Sequence, residues 1–269
     1  MEDRIHPDQP SSAGTKYINM AGGRAAYTDE GSGPILVCIH GMPASGRDFR
    51  WLAPSLLPDL RVIRLDLPGF GGTTRAEHPN PDMDGMAKFI WQFLDALHIE
   101  KAALLGHSLG GAVATHAATD DRVRALVLIS SAGPFSHRGH FPKTYRFIAP
   151  FSRHWATRWL VVAMARLIME FAGLRKGFSD ETVVTSLQGA ANIRFAQHGE
   201  TLKSLNKPTF VAWAQDDRVV EPRISEAAVE IAPLGPRLHF DKGGHNIQKT
   251  RAIEIAETLC PWMHECVDL

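Results

Sequence analysis

A serine flanked by glycines is the strongest chemical signal in this chain. Gly106-His107-Ser108-Leu109-Gly110 forms a G-x-S-x-G pattern, placed after a β-rich apolar run and at the start of a helical one. A turn from strand to helix in so few residues strains the serine backbone and leaves room only for glycine on either side. The helix N-terminus provides N–H groups and partial positive charge where an oxyanion would form. The pattern therefore predicts a nucleophilic serine.

Three side chains downstream of Ser108 are candidates to support it. A nucleophilic serine needs a base within hydrogen-bond reach and an acid that orients the base. The strand-like run that ends at Trp213 is followed by two adjacent carboxylates, Asp216 and Asp217. His245 lies on a glycine-rich loop after the last strand-like run, and its glycines allow that loop to fold back over the sheet. These residues are one candidate base and two candidate acids.

The elements that must position these side chains alternate along the chain. Strand-like runs occupy residues 15–20, 24–28, 35–39, 61–65, 101–105, 124–129, 209–213 and 237–240. Helical patterns occupy residues 47–57, 83–97, 108–119, 224–231 and 247–260. Strands that alternate with helices of this length imply right-handed crossovers. The prediction is an α/β fold with a doubly wound, mostly parallel sheet of about eight strands, opened by a hairpin.

One region interrupts this alternation. Residues 134–206 show amphipathic helical patterns and no strand-like run. Connections inside compact domains normally have about 2–6 residues, so an insertion of this size predicts a helical lid, or cap, over the sheet. The core then comprises residues 15–133 and 207–269. Residues 1–14 are polar, lack the apolar segment of a secretory signal, and predict a short disordered arm.

Taken in this order, the motifs resemble the α/β-hydrolase fold family from about residue 15 to residue 260. The resemblance implies the chain order serine, acid, histidine, with Ser108 as nucleophile and His245 as base. The family's spacing between the strand end and the acid favours Asp217 as the orienting acid. Asp216 is then an ordinary turn residue.

A second segment also resembles that family. His40-Gly41-Met42, after the third predicted strand, resembles the family's oxyanion loop. The resemblance implies that the backbone N–H groups of Met42 and Leu109 hold the oxyanion. His40 is expected to brace the loop, and Asp66 to hydrogen-bond within the turn after the next strand.

Because this fold hosts many chemistries, the reaction must be argued from the site. Serine at position 108 argues against haloalkane dehalogenases and epoxide hydrolases, which the family resemblance associates with aspartate there. We expect a carboxylesterase-like serine hydrolase that cleaves a small or medium apolar ester through an acyl-enzyme. Carbon–carbon bond hydrolases of vinylogous diketones are the first alternative, although they usually have Asn and Trp where this chain has His107 and Asn246. A non-catalytic ligand receptor on the same fold is the alternative from another class.

Substrate contacts are expected beneath the predicted lid, where apolar side chains are plentiful. The predicted contact residues are Phe141, Phe147, Trp159, Met164 and Ile168. The expected partner is a small apolar ester, and the sequence indicates no metal and no cofactor. It leaves the oligomeric state open.

Composition narrows the remaining function classes. The 29 basic residues equal the 29 acidic ones, so no net field favours nucleic acid or an anionic membrane. The longest apolar stretch, residues 159–173, is too short to span a bilayer, and no stable membrane insertion is expected. Three cysteines without zinc-ligand spacing favour a reducing, cytoplasmic location.

Overall fold

One mixed sheet forms the centre of the protein. The computed structural model describes residues 9–21, 23–75, 82–138, 142–152, 154–171 and 177–267 of the 269-residue chain. The strands within these residues are β1 (Lys16–Met20), β2 (Gly23–Glu30), β3 (Ile35–Ile39), β4 (Arg61–Leu65), β5 (Ala102–His107), β6 (Val123–Ile129), β7 (Thr209–Ala214) and β8 (Arg237–Phe240). Their spatial order is β1-β2-β4-β3-β5-β6-β7-β8. Pairing is antiparallel from β1 to β4 and parallel from there to β8, which confirms the predicted eight-stranded sheet.

Helices flank this sheet and fill the connections. They are α1 (Ala53–Leu56), α2 (Met83–Ala96), α3 (Leu109–Ala117), α4 (Pro142–Ile148), α5 (Trp155–Phe171), α6 (Asp180–Asn192), α7 (Phe195–Ser204), α8 (Pro222–Ile231), α9 (Ile247–Thr250) and α10 (Ala252–Val267). Two predicted helices differ from the structure. The first is a 3-10 turn, Gly46–Phe49, followed by the single turn of α1. The last divides at Arg251 into α9 and α10, and α10 continues past Pro261.

The apolar strands are buried on both faces because helices cover both faces. Successive side chains of a strand point to opposite sides, so Val37 and Ile39 contribute to one apolar cluster while Leu36 and Cys38 contribute to the other. All four side chains have no exposed surface. This explains why the third strand is a continuous apolar run rather than an alternating one.

The insertion, residues 134–206, contributes helices α4 to α7 and no strand among its described residues. Val162 of α5 packs with Val183 and Val184 of α6 in a small cluster of their own. The Thr182 hydroxyl of α6 donates to the Gly69 carbonyl at 3.1 Å, which ties this helix to the turn after β4. The insertion therefore rests on the same edge of the sheet at which the parallel strands end.

The N-terminal arm meets the sheet at Ser11. The Ser11 hydroxyl donates to the Glu30 carboxylate at 2.6 Å, and the buried Arg64 guanidinium donates to Ser11 Oγ at 2.8 Å. Arg64 also pairs with Glu30, so its buried charge is compensated. At this position the predicted arm is held against the core; residues 1–8 lie outside the described residues. Among the described helices, none is both long enough and apolar enough to cross a membrane.

Candidate active site

Ser108 stands at a strained turn between β5 and α3. Its backbone has φ 54° and ψ −127°, a conformation that a side chain disfavours. The surroundings hold it there: the Ser108 N–H donates to the Ile129 carbonyl at 3.2 Å, and its own carbonyl accepts from the N–H groups of Gly111 and Ala132. The turn is therefore fixed by the neighbouring strand and by the first turn of the helix.

The glycines on either side of Ser108 are required by close backbone contacts. A Cβ at Gly106 would overlap the Gly111 backbone, and a Cβ at Gly110 would overlap the carbonyls of Ile39 and His40. No backbone group can yield as a flexible side chain can. The expectation that only glycine fits at both positions is confirmed.

Asp217 and His245 meet at the carboxyl ends of β7 and β8. His245 Nδ1–H donates to Asp217 Oδ2 at 2.8 Å, and the Asp217 side chain is almost completely buried. The other oxygen, Oδ1, accepts from the backbone N–H groups of Val219 and Val220 at 2.8 and 3.0 Å. With Nδ1 carrying the proton, Nε2 of the imidazole is the nitrogen that can accept one. The carboxylate therefore sets both the orientation and the tautomer of the ring.

Asp216 has a different position from its neighbour. Its Oδ1 accepts from the backbone N–H groups of Gly244 and Gly243, at 2.7 and 2.8 Å. These hydrogen bonds, from Gly244 first, lower the pKa of Asp216. The sequence predicted only an ordinary turn residue here. In the structure Asp216 braces the loop that presents His245, and nothing in the sequence indicated that contact.

His107 joins the serine turn to the histidine loop. Its Nε2–H donates to the backbone carbonyl of His245 at 3.0 Å, and the two rings lie 4.8 Å apart between centroids. Burial, followed by the proximity of His245, lowers the pKa of His107 to about 3, so this ring is neutral at ordinary pH. Because His107 precedes Ser108 directly, this contact places the His245 loop beside the nucleophile. The sequence indicates only that His107 replaces the asparagine usual in carbon–carbon bond hydrolases, and it does not predict this contact.

The predicted oxyanion loop runs against Ser108. A Cβ built on Gly41 would lie 2.9 Å from Ser108 Cβ and 3.4 Å from its Oγ. The buried His40 ring braces this loop: Nδ1–H donates to the Gly41 carbonyl at 2.7 Å, and Nε2 accepts from the Leu67 N–H at 3.0 Å. The bracing role expected for His40 is confirmed. Leu109 begins α3, and the first N–H of a helix has no intrahelical acceptor.

Asp66 has the turn-bonding role expected of it. Its two carboxylate oxygens accept from the backbone N–H groups of Gly46 and Gly72, each at 2.8 Å. They connect the turn after β4 to the chain that follows the oxyanion loop.

Helix α6 of the insertion lies beside the oxyanion loop. A Cβ built on Gly189 would lie 2.7 Å from Met42 Sδ, so the helix backbone closely approaches that side chain. The absence of a side chain at Gly189 leaves the space that Met42 occupies. This helix therefore forms part of the wall next to the predicted oxyanion hole.

The predicted substrate-contact residues have a different environment from the one expected. Phe147, Trp159, Met164 and Ile168 are all exposed, with Trp159 68% accessible, and Phe141 lies outside the described residues. The sequence placed these side chains in a pocket enclosed by the lid. Helix α5 is apolar around most of its circumference, and packing against α6 buries only one side of it. These four side chains are therefore exposed rather than buried beneath other residues as expected.

Metal ligation has no support among the described residues. Within them, no three His, Cys, Asp or Glu side chains come together as a metal site would require. The buried ring nitrogens His116 Nε2 and His198 Nδ1 have no hydrogen-bond partner in the described part of the chain, and the two rings stack 6.3 Å apart. His116 lies on α3, eight residues after Ser108, and His198 lies on α7.

The fold and this site define a protein class. The family model described as alpha/beta hydrolase fold matches residues 34–252, and this chain belongs to that family. The predicted family membership is confirmed.

Several relatives match the chain over most of its length. It is 34% identical to the 2-hydroxymuconate semialdehyde hydrolase of Pseudomonas sp. (strain CF600), covering 93% of this chain and 94% of the relative. It is 29% identical to the pimeloyl-[acyl-carrier protein] methyl ester esterase of Stenotrophomonas maltophilia (strain K279a), covering 85% and 92%. It is 28% identical to the magnesium-chelatase 30 kDa subunit of Rhodobacter capsulatus, covering 88% and 89%.

A solved structure shows the same architecture. The meta-cleavage product hydrolase of Pseudomonas fluorescens IP01 superposes with a TM-score of 0.72 at 26% identity, covering 94% of this chain and 98% of that one. The relatives include hydrolases of different bonds. The comparisons therefore support hydrolase activity without specifying the bond that this chain cleaves.

Proposed function

We propose that this protein is a serine hydrolase that cleaves a small or medium apolar carboxylic ester through an acyl-enzyme. The observation that carries the proposal is the chain of contacts from Asp217 through His245 and His107 to the strained turn at Ser108. It links the three residues that we propose as nucleophile, base and orienting acid, which come from three separate parts of the sequence. Such a set is what activation of a weakly acidic hydroxyl requires.

The proposed reaction has two steps. His245 Nε2 takes the Ser108 proton as Oγ attacks the ester carbonyl, and the N–H groups of Met42 and Leu109 donate to the oxyanion. His245 then protonates the leaving alcohol as the C–O bond breaks, which leaves Ser108 acylated. Water, deprotonated by His245, attacks the acyl carbonyl. The acid leaves as the proton returns to Oγ.

His107 suits this proposal electrostatically. His245 becomes positively charged in each step, and a second charged imidazole 4.8 Å away would oppose that charge. The pKa of about 3 keeps His107 neutral whenever His245 is protonated near neutral pH. His107 thus holds the His245 carbonyl without repelling the ring.

We also propose that the insertion, residues 134–206, acts as a lid. The support is the position of α6, whose Gly189 approaches Met42 and whose Thr182 hydroxyl donates to Gly69. Both contacts place an insertion helix at the carboxyl edge of the sheet, where ligands of open α/β sheets bind.

Hydrolysis of a carbon–carbon bond is the second candidate function. The observation in its favour is the 34% identity, over nearly the full length, to a 2-hydroxymuconate semialdehyde hydrolase. His107 and Asn246 stand where the sequence resemblance led us to expect Asn and Trp in such enzymes. This departure favours the ester.

Labelling and a substrate series test these proposals together. A fluorophosphonate should modify Ser108, identified by peptide mass spectrometry, and Ser108→Ala should lose labelling and on the order of a millionfold in turnover. A variant that keeps a tenth of the parent rate would refute the nucleophile. Folded protein that shows neither labelling nor turnover would favour the ligand receptor.

The bond is identified by comparing kcat/KM for p-nitrophenyl esters with a vinylogous diketone. Each methylene buried in an apolar cleft adds about 0.8 kcal/mol, nearly fourfold in affinity. We therefore expect kcat/KM to rise from the acetate to about the butyrate or hexanoate. A diketone preferred over every ester would replace the ester proposal with the carbon–carbon one.

A further inference from the structure

Helix α5 exposes an unusually apolar surface. Trp155 is 85% accessible and Trp159 68%, and both lie at the start of the helix. We call the exposed side of this helix the α5 patch, which consists of Trp155, Trp159, Leu160, Met164, Leu167 and Ile168. Phe147 and Phe151, also exposed and in ring contact with each other, precede it along the chain. Large exposed apolar patches of soluble proteins mark interaction surfaces.

Most of the patch lies away from the face that α5 uses to pack on the protein, whereas Trp155 and Trp159 are exposed on the same helical stripe as Val162. Val162, Ala165 and Met169 recur at helical spacing and pack with Val183 and Val184 of α6. Leu160, Met164 and Leu167 lie on the opposite side of the helix and are exposed. A helix that is apolar on both sides normally has both sides covered. A partner of the patch must therefore come from outside the fold described above.

The sequence that leads into the patch is basic, and the first acidic residue of α5 is Glu170, near its end. No Asp or Glu occurs from residue 122 to residue 169, although the chain as a whole has 29 basic and 29 acidic residues. Within the insertion this stretch carries six cations: Arg138, Lys143, Arg146, Arg153, Arg158 and Arg166. Arg166 pairs with Asp180 from α6, while Lys143 is exposed on α4. The balanced total charge therefore conceals a basic stretch of sequence, with Lys143 exposed, that leads into the apolar patch.

We propose that the α5 patch binds the surface of an anionic phospholipid bilayer, with the helix lying parallel to the membrane plane. Apolar side chains on one side of a helix, tryptophans and neighbouring Lys and Arg are the features of interfacial helices. The cations would contact lipid phosphates, while the apolar side chains enter the boundary between headgroups and acyl chains. A second copy of the chain fits less well, because a symmetric pair would bring two copies of this basic stretch together.

Vesicle co-sedimentation at low salt tests the proposal. We expect binding to phosphatidylcholine vesicles with a quarter phosphatidylglycerol, much weaker binding to pure phosphatidylcholine, and loss of binding as salt screens the cations. Trp155→Gln with Leu167→Gln should lower the partition coefficient at least tenfold. Leu234→Gln is the matched control, since Leu234 is 90% exposed outside the patch.

Two lysine substitutions, one near the patch and one control, test the contribution of the basic residues separately. Lys143→Gln should weaken binding to the anionic vesicles by about fivefold, the usual effect of one surface cation. Lys203→Gln, on the exposed side of α7, should leave binding unchanged. Circular dichroism and thermal unfolding show whether each variant is folded. If the double variant does not fold, these single substitutions of exposed lysines still test the proposal.

Three results would overturn the proposal. They are absence of binding by the folded parent protein, equal binding to neutral and anionic vesicles, and equal loss with the patch and control variants. A dimer seen by light scattering, dissociated by the patch variant and without vesicle binding, would assign the patch to a second copy instead.

Discussion

Replacing Asp217 with asparagine separates the orienting role of the carboxylate from its shape. Asn has the same size, so the change lies in one atom, where an oxygen becomes a donating nitrogen. In the parent, Oδ1 accepts two backbone N–H groups, from Val219 and Val220, while Oδ2 accepts from His245 Nδ1. The two N–H groups can be satisfied only by the amide oxygen. The amide nitrogen is therefore directed at His245.

The size of the effect follows from this forced orientation. A donating amide requires an accepting Nδ1, which moves the imidazole proton to Nε2, where it blocks transfer from Ser108. The opposite amide rotamer would leave both N–H groups facing a donor, at a cost of about 1–3 kcal/mol for the buried N–H of Val220. A wrong tautomer in a serine triad lowers turnover by about 10⁴-fold, which corresponds to about 5 kcal/mol in the barrier. We expect a loss of that order in kcat for Asp217→Asn.

Asp216→Asn is the matched control one residue away. A single oxygen of Asp216 accepts both loop N–H groups, from Gly243 and Gly244, and an asparagine oxygen can do the same. We therefore expect Asp216→Asn to lose less than tenfold. Asp216→Ala should lose more, because the loop that carries His245 is then released.

The assay is steady-state hydrolysis of p-nitrophenyl butyrate, with the unfolding midpoint in urea measured for each variant. A small loss for Asp217→Asn together with a large one for Asp216→Asn would refute the assignment. Equal losses with a matching drop in stability would show that both carboxylates act on folding alone.

His198→Gln should flatten the acid dependence of the free energy of unfolding, because burial lowers the pKa of His198 to about 4. The stability associated with this neutral ring is present above the unfolded pKa of about 6.5 and is lost as the pH falls through about 4. Urea titrations give the free energy of unfolding at about pH 7.5 and at about pH 4.5. The difference between these two free energies should be smaller in the variant by about 2–3 kcal/mol. Identical slopes in parent and variant would contradict this. His107→Ala should lower kcat more than tenfold with little change in KM, since it releases the His245 carbonyl. His107→Gln should keep part of the rate, because its amide N–H can donate to that carbonyl. A change confined to KM would argue against this positioning role. Gly189→Leu should displace the Met42 side chain and lower kcat/KM about a hundredfold, whereas unchanged kinetics would show that Met42 yields without moving its backbone.

The periodicity of the sequence predicted most of the architecture, because a strand covered by helices on both faces must be a continuous apolar run. The central strands followed from such runs, the opening hairpin from two short alternating runs, and the serine turn from glycine positions. The helix predicted for residues 247–260 is divided at Arg251, and the apolar pattern does not predict this interruption.

The sequence by itself determined which residue types could do chemistry here. Ser108, its flanking glycines and the adjacent pair Asp216 and Asp217 are visible as local patterns. Which carboxylate reaches His245 was inferred from family spacing; the structure places Asp217 Oδ2 2.8 Å from the imidazole nitrogen and directs Asp216 to the loop instead.

Only the tertiary structure decided the contacts between distant segments. The bond from His107 to the His245 carbonyl spans 138 positions, and no local pattern encodes such a separation. The same holds for α5. Its sequence showed an excess of apolar side chains, but packing against α6 decided which side is buried and left Trp159 and Met164 at the surface. The composition of a helix determines how much apolar surface it has, whereas tertiary packing determines which part of that surface is buried.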